Sequence, residues 1–184
     1  MNITLSWDLF VIVFFAVIVT YSFIIGKKES VKIIIATYIA AVTVQGIGNL
    51  LARVAGPEST ILPVMGVALD LTVLAIVKLI LFIAAIIVLA IKSGLDVRYA
   101  KEPGMIMSLV MAGVFGFATA GLLLSTMLTY VAGAALLDVH LAQHQTLVPL
   151  LAQSQLLQFL ILYQEFWYVG PAIILLVMGL LHNK

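Results

Sequence analysis

The chain has 184 residues, of which 64% are hydrophobic and 9% charged, with a formal net charge of +1 and no cysteine. A soluble domain carries about 25% charged residues, so this composition, with a mean hydropathy of +1.26, belongs to a protein whose solvent is lipid. It excludes disulfides, thiolate chemistry and cysteine metal sites, gives no basic surface for nucleic acid, and leaves no room beside the membrane spans for a separate soluble domain.

Met1 to Asp8 reads as a short surface lead-in, with Ser6 or Asp8 placed to cap a first helix and Trp7 suited to the headgroup level. It lacks the basic region and small-residue cleavage site of a signal peptide, so the span that follows, 9–25, is expected to be a retained anchor. Thr20, Tyr21 and Ser22 are its polar positions. Gly26 ends it, and Lys27, Lys28, Glu29, Ser30 and Lys32 form a basic turn into a second span, 33–51, making an antiparallel hairpin. The second span carries Tyr38, Gln45 and Asn49, which should face other helices, because an amide facing lipid tails has no partner.

Gly56 and Pro57 mark a loop. The apolar stretch 61–69, interrupted by Pro63 and Gly66, reads as an interfacial or re-entrant piece in preference to an extension of one long tilted helix. Asp70 opens the third span, 71–91, whose only charge is Lys78. About 20 apolar residues cross a hydrocarbon core, and a charge inside one needs a partner, a water path or an escape to the interface. Asp70 and Lys78 lie about 80° apart around a helix, so they are not stacked but can share a cavity. Lys78 has three readings: snorkelling toward Asp70, bonding a polar residue of the second span such as Gln45, or lining an ion or proton path with Asp70.

The fourth span, 105–131, repeats Ala112, Gly116 and Ala120 every four residues with Gly113 and Gly121 beside them. Such a small-residue seam lets backbones approach in lipid, either within the chain or across a homodimer. Segment 133–165 mixes Asp138, His140, His144 and six glutamines with many leucines, too polar to span, and is expected to lie on or dip into one face of the bundle. Phe166, Trp167 and Tyr168 form an aromatic belt, and Gly170 and Pro171 open a last short span, 172–181, which becomes 166–181 when counted from the belt. The expected fold is all-α: a polytopic transmembrane bundle of four to five spans in one domain, with an interfacial helical segment before the last span.

Lysine and arginine gather between spans one and two, between spans three and four and at the C-terminus, with Arg53 in the second loop and none from Gly104 to Asn183. By the positive-inside rule the N-terminus is then outside, the C-terminus cytoplasmic and segment 133–165 external. Asp138, His140 and His144 have the residue types of a metal site but not the zincin spacing, and a surface or headgroup role is the better reading. Ser125 and Ser154 stand without an obvious base. No catalytic, cofactor or metal residues are assigned.

Asp8 at the start of the first span, Gly26 at its end, the basic turn Lys27 to Glu29, Gly113, Gly116 and Gly121 on the fourth span, and Ser154 in the leucine-rich stretch after it form a pattern that resembles the colicin V production proteins. These are small multipass proteins of the bacterial inner membrane. The resemblance covers most of the chain in order and hydropathy; the glycine spacing and the extra final span depart from the family's usual form. It implies a non-enzymatic accessory of envelope maintenance or export, with no agreed catalytic residues. The expected partners are the lipid bilayer and other membrane proteins or a second copy, not nucleic acid. Two alternatives stand beside this: a small ion or proton channel or transporter using Asp70, Lys78 and Gln45, against which the lack of an internal repeat counts, and a holin-like pore.

Overall fold

The computed structural model describes residues 6–55, 71–92, 94 and 104–182, and among these every regular element is a helix. They are α1 (Trp7–Ala55), α2 (Leu71–Lys92), α3 (Met105–Val131), a single 3-10 turn at Leu141–Gln143, α4 (Val148–Leu151), α5 (Gln155–Leu162) and α6 (Gln164–His182). Stretch 61–69, Asp70 and most of the loop before α3 lie outside the described residues.

Helix α1 is continuous except at Gly26, which takes φ 77° and ψ 173°. Across it the hydroxyls of Ser22 and Ser30 come within 2.6 Å, whereas eight residues of straight helix would separate them by about 12 Å. The chain therefore folds back on one residue into two antiparallel arms, α1a (7–25) and α1b (27–55). The basic stretch expected to form the turn is already helical. Only glycine takes that backbone conformation freely, while Lys and Glu favour helix, and Lys32 bonds Glu29 at 2.8 Å along the arm. The Ser30 hydroxyl lies 3.0 Å from the Gly26 carbonyl, one turn back along the second arm.

Helix α3 is the hub. Its phenyl ring at Phe117 packs on Phe15 of α1a, the Ser22 hydroxyl donates to the Ala112 carbonyl at 2.7 Å, and Val11 meets Leu124 in one cluster, so α1a and α3 run antiparallel. Val31 and Ile34 of α1b join Phe115 and Leu122, and the Tyr130 hydroxyl donates to the Ala41 carbonyl at 2.7 Å, so α1b runs parallel to α3. Phe82 of α2 stands edge-on to Tyr130 with ring centres 5.4 Å apart. Trp167 of α6 packs on Phe117, the Tyr168 hydroxyl donates to Thr126 Oγ1 at 3.0 Å, and Ile174, two turns on, lines a pocket with Val110, so α6 runs antiparallel to α3.

The surface around this bundle is apolar: Ile24 is 77% exposed, Ile91 74%, Ile106 80% and Leu180 70%. Water would penalise each of these, and lipid does not. By length and composition three helices can cross a membrane, or four when α5 and α6, bent by 63°, count as one broken span; α1 with both its arms is one of the three.

Residues 133–163 fold over the end of the bundle where Trp7 lies, through turns, the 3-10 turn and the short helices α4 and α5. Leu141, Leu147, Leu157, Leu160 and Ile161 bury against Val11, Leu124 and Leu128, with Trp7, Phe14 and Phe15 alongside, so the segment is a hydrophobic cap. Helix α6 starts at Gln164, before the aromatic belt, and runs through Gly170 and Pro171 instead of being opened by them.

Candidate functional site

Beside the bonds that tie the helices to one another, two places among the described residues gather polar side chains of separate elements. The first lies under the cap. Ser6 caps α1, accepting the Leu9 N–H at 3.1 Å, which leaves the Asp8 carboxylate for another partner. Asp8 Oδ1 accepts the Ser154 hydroxyl at 2.5 Å and the Leu156 N–H at 3.1 Å, while Ser154 Oγ accepts the Leu157 N–H at 3.0 Å. A carboxylate thus sits at the positive end of α5, where the first amides of the helix have no internal acceptor. The serine that looked baseless in the sequence has an acid beside it, yet its lone pair is engaged by a backbone amide and its proton by Asp8. That is a helix cap, not an activated nucleophile.

Further along the cap, the Asp138 carboxylate accepts the His140 N–H at 2.9 Å and pairs with His144 Nε2 at 3.0 Å, and its backbone carbonyl accepts Gln164 Nε2 at 2.7 Å. The His140 amide, then the His144 side chain, hold this carboxyl below the usual carboxylate range. The two histidines are not one turn apart on a helix, because residue 140 precedes the 3-10 turn and residue 144 follows it. Among the described residues no group of three acidic or histidine side chains is arranged to hold a metal. Leu137, just before the hub residue Asp138, takes φ 59°, a left-handed conformation uncommon for leucine.

The second place is between α2 and α1b. Lys78 is only 5% exposed and crosses α1b at Gly48, where a side chain on the glycine would run into its methylene stem. One turn earlier on α1b, Gln45 donates to Asn49 Oδ1 at 3.0 Å and leaves its own carbonyl oxygen buried without a partner. The structure therefore brings Lys78 against the arm that carries Gln45. Asn49 itself is exposed. Asp70 lies outside the described residues.

The small-residue seam of α3 is occupied within the chain. Gly113 meets the Phe23 ring and Gly116 the backbone of Val19 and the side chain of Ser22. Gly121 lies under the Trp167 indole, while Ala112 and Ala120 are buried. A homodimer would need another face. Tyr38, expected to face another helix, donates its hydroxyl to the Tyr168 carbonyl.

Sequence reasoning placed Trp167 and Tyr168 in an interfacial belt, whereas both are buried against α3, and it left Gln164 and the Asp8 to Ser154 bond unassigned. The last joins positions 146 residues apart, and its one visible sign was that both belong to the pattern behind the family resemblance. Comparison of the chain with known protein families, with curated proteins and with solved structures finds no match.

Proposed function

We propose that the chain is a five-span protein of the bacterial cytoplasmic membrane, N-terminus outside and C-terminus cytoplasmic, serving without catalysis as an accessory of envelope maintenance or export. The observation that carries this reading is how the interior polar groups are used. Ser22 bonds Ala112, Tyr130 bonds Ala41, Tyr38 bonds Tyr168 and Tyr168 bonds Thr126, each tying one helix to another. They hold the bundle together instead of lining a passage, and the polar cap is closed on itself by Asp8 and Asp138. Such a body acts by what it touches, another membrane protein or a second copy. The five spans are the two arms of α1, then α2, α3 and α6. Lys27, Lys28, Lys32 and Lys92 gather at the Gly26 end and the cap carries no lysine or arginine, which supports the cytoplasmic assignment of that end. The meeting of Asp8 with Ser154 supports the affinity to the colicin V production proteins, since both residues belong to the pattern that suggested it.

Lys78 favours a second reading, a small ion or proton channel or transporter, because a buried lysine side chain laid against the arm that carries the unpaired amide oxygen of Gln45 suits a conduction site. Purified protein in proteoliposomes separates the two. Proton or ion flux that Lys78→Ala abolishes would sink the accessory reading, whereas the accessory reading expects no flux and only altered stability or assembly. Because the chain has no cysteine, single cysteines at Lys28 and Gln143 report orientation directly. The proposal expects an impermeant thiol reagent to reach position 143 and not position 28 from outside intact cells.

A further inference from the structure

Among the described residues four buried side-chain polar atoms have no partner, and three of them, Ser125 Oγ, Gln164 Oε1 and Trp167 Nε1, belong to the facing sides of α3 and α6. Their residues are 1%, 2% and 4% exposed. Trp167 lies on Gly121 and Tyr168 bonds Thr126, and in this antiparallel register Gln164, one turn before Trp167, is level with Ser125.

The chemistry of the three atoms is fixed. Gln164 Nε2 donates to the Asp138 carbonyl, which cannot itself donate, so the amide atom left over is the oxygen, an acceptor. The indole N–H of Trp167 is a donor only. Ser125 can do either, and it differs from the other buried hydroxyls of α3: Thr119, Thr126 and Thr129 each bond the carbonyl four residues back, and Ser125 does not. A buried polar atom left unmatched is costly, and three such atoms on two helices packed against each other point to a shared partner.

We propose that Ser125, Gln164 and Trp167 form a binding site for a single small hydroxylic molecule, water, held between α3 and α6 at the bend where α5 meets α6. Water accepts from the Trp167 indole, donates to the Gln164 carbonyl and exchanges a third bond with Ser125, the usual complement for an internal water. The site joins the cap, through Gln164 and Asp138, to the hub helix. It stands independently of the proposed function.

The chain has two tryptophans, so in a Trp7→Phe background the hydrogen-bond marker of the indole in ultraviolet resonance Raman spectra reports Trp167 alone. The detergent-solubilised full chain should show a bonded indole N–H. Gln164→Leu and Ser125→Ala should each weaken that signature without abolishing it, because the water keeps its remaining partner. A free indole in the parent overturns the proposal whether or not the variants fold. So does a signature insensitive to both substitutions, or one lost with Gln164→Leu and untouched by Ser125→Ala, which would mean a direct amide to indole bond.

Discussion

Gly121→Ala tests the central packing claim. A Cβ at Gly121 would overlap the six-membered ring of Trp167, and that ring has little freedom: it is 4% exposed and wedged among Phe15, Phe117 and Phe166 at centroid distances of 5.8, 5.4 and 5.4 Å. Forcing a methyl into such a contact costs about 2 to 3 kcal/mol, and the better helix propensity of alanine returns about 1. The net expectation is a destabilisation of about 1 to 2 kcal/mol. Gly46→Ala is the control, since a Cβ there meets nothing within 4 Å and the same propensity term should leave the protein unchanged or up to about 1 kcal/mol more stable. Unfolding free energies from steric trapping in bicelles would measure both. Trp167→Phe should remove the clash, so Gly121→Ala made in that background should be neutral or stabilising. If Gly121→Ala matches Gly46→Ala, or costs the same with and without the indole, α6 does not pack on the α3 seam as described.

Three further expectations follow from local geometry. Gly26→Ala meets no neighbour, so its cost is that of the left-handed backbone alone, about 1 to 2 kcal/mol in the same unfolding measurement. Ser154→Ala should cost about 1 kcal/mol as a lost helix cap, and combined with Asp8→Asn the losses should be less than additive; strictly additive losses in a double-mutant cycle would mean the two do not interact. The Asp138 carboxyl is held below its ordinary value of 3.8, so its contribution is present above that pH and fades as pH falls through the lower folded value. Hydrogen-exchange protection factors of residues 138–147, taken relative to the intrinsic rate at each pH, should therefore fall below about pH 4, and Asp138→Asn should remove that part of the acid response.

The long apolar runs were legible because hydrocarbon leaves a strong signature: α3 spans the stretch expected from sequence, and α2 differs only by Lys92. Gly26 was legible as a stop. That it alone makes the turn was not, because the charge run behind it suggests a loop, and only the backbone shows that Lys27 to Lys32 continue the helix. Gly170 and Pro171 misled for the opposite reason. Proline usually marks a helix start, but inside a packed bundle neighbouring side chains offset the missing amide, and α6 begins two turns earlier. The cap was the least legible part. Its polar residues say that it does not span, but nothing local in Asp8 or Ser154 says that they meet.

Helices in lipid gain little from hiding apolar surface, so close contact and polar pairing decide which of them touch. On α3 those two means are used side by side. Near the Gly26 end Gly113 and Gly116 admit Phe23 and the backbone of α1a while Ser22 bonds the Ala112 carbonyl, and toward the cap Gly121 admits Trp167 while Thr126 and Tyr130 bond Tyr168 and the Ala41 carbonyl. Helix α2 packs through Phe82, with Leu81, Ala85, Ile86 and Leu89 alongside, and through one lysine stem laid across Gly48. Its row of exposed isoleucines, Ile76, Ile80, Ile83, Ile87 and Ile91, is left to lipid, so α2 is held by interlocking side chains and by the close crossing at Gly48.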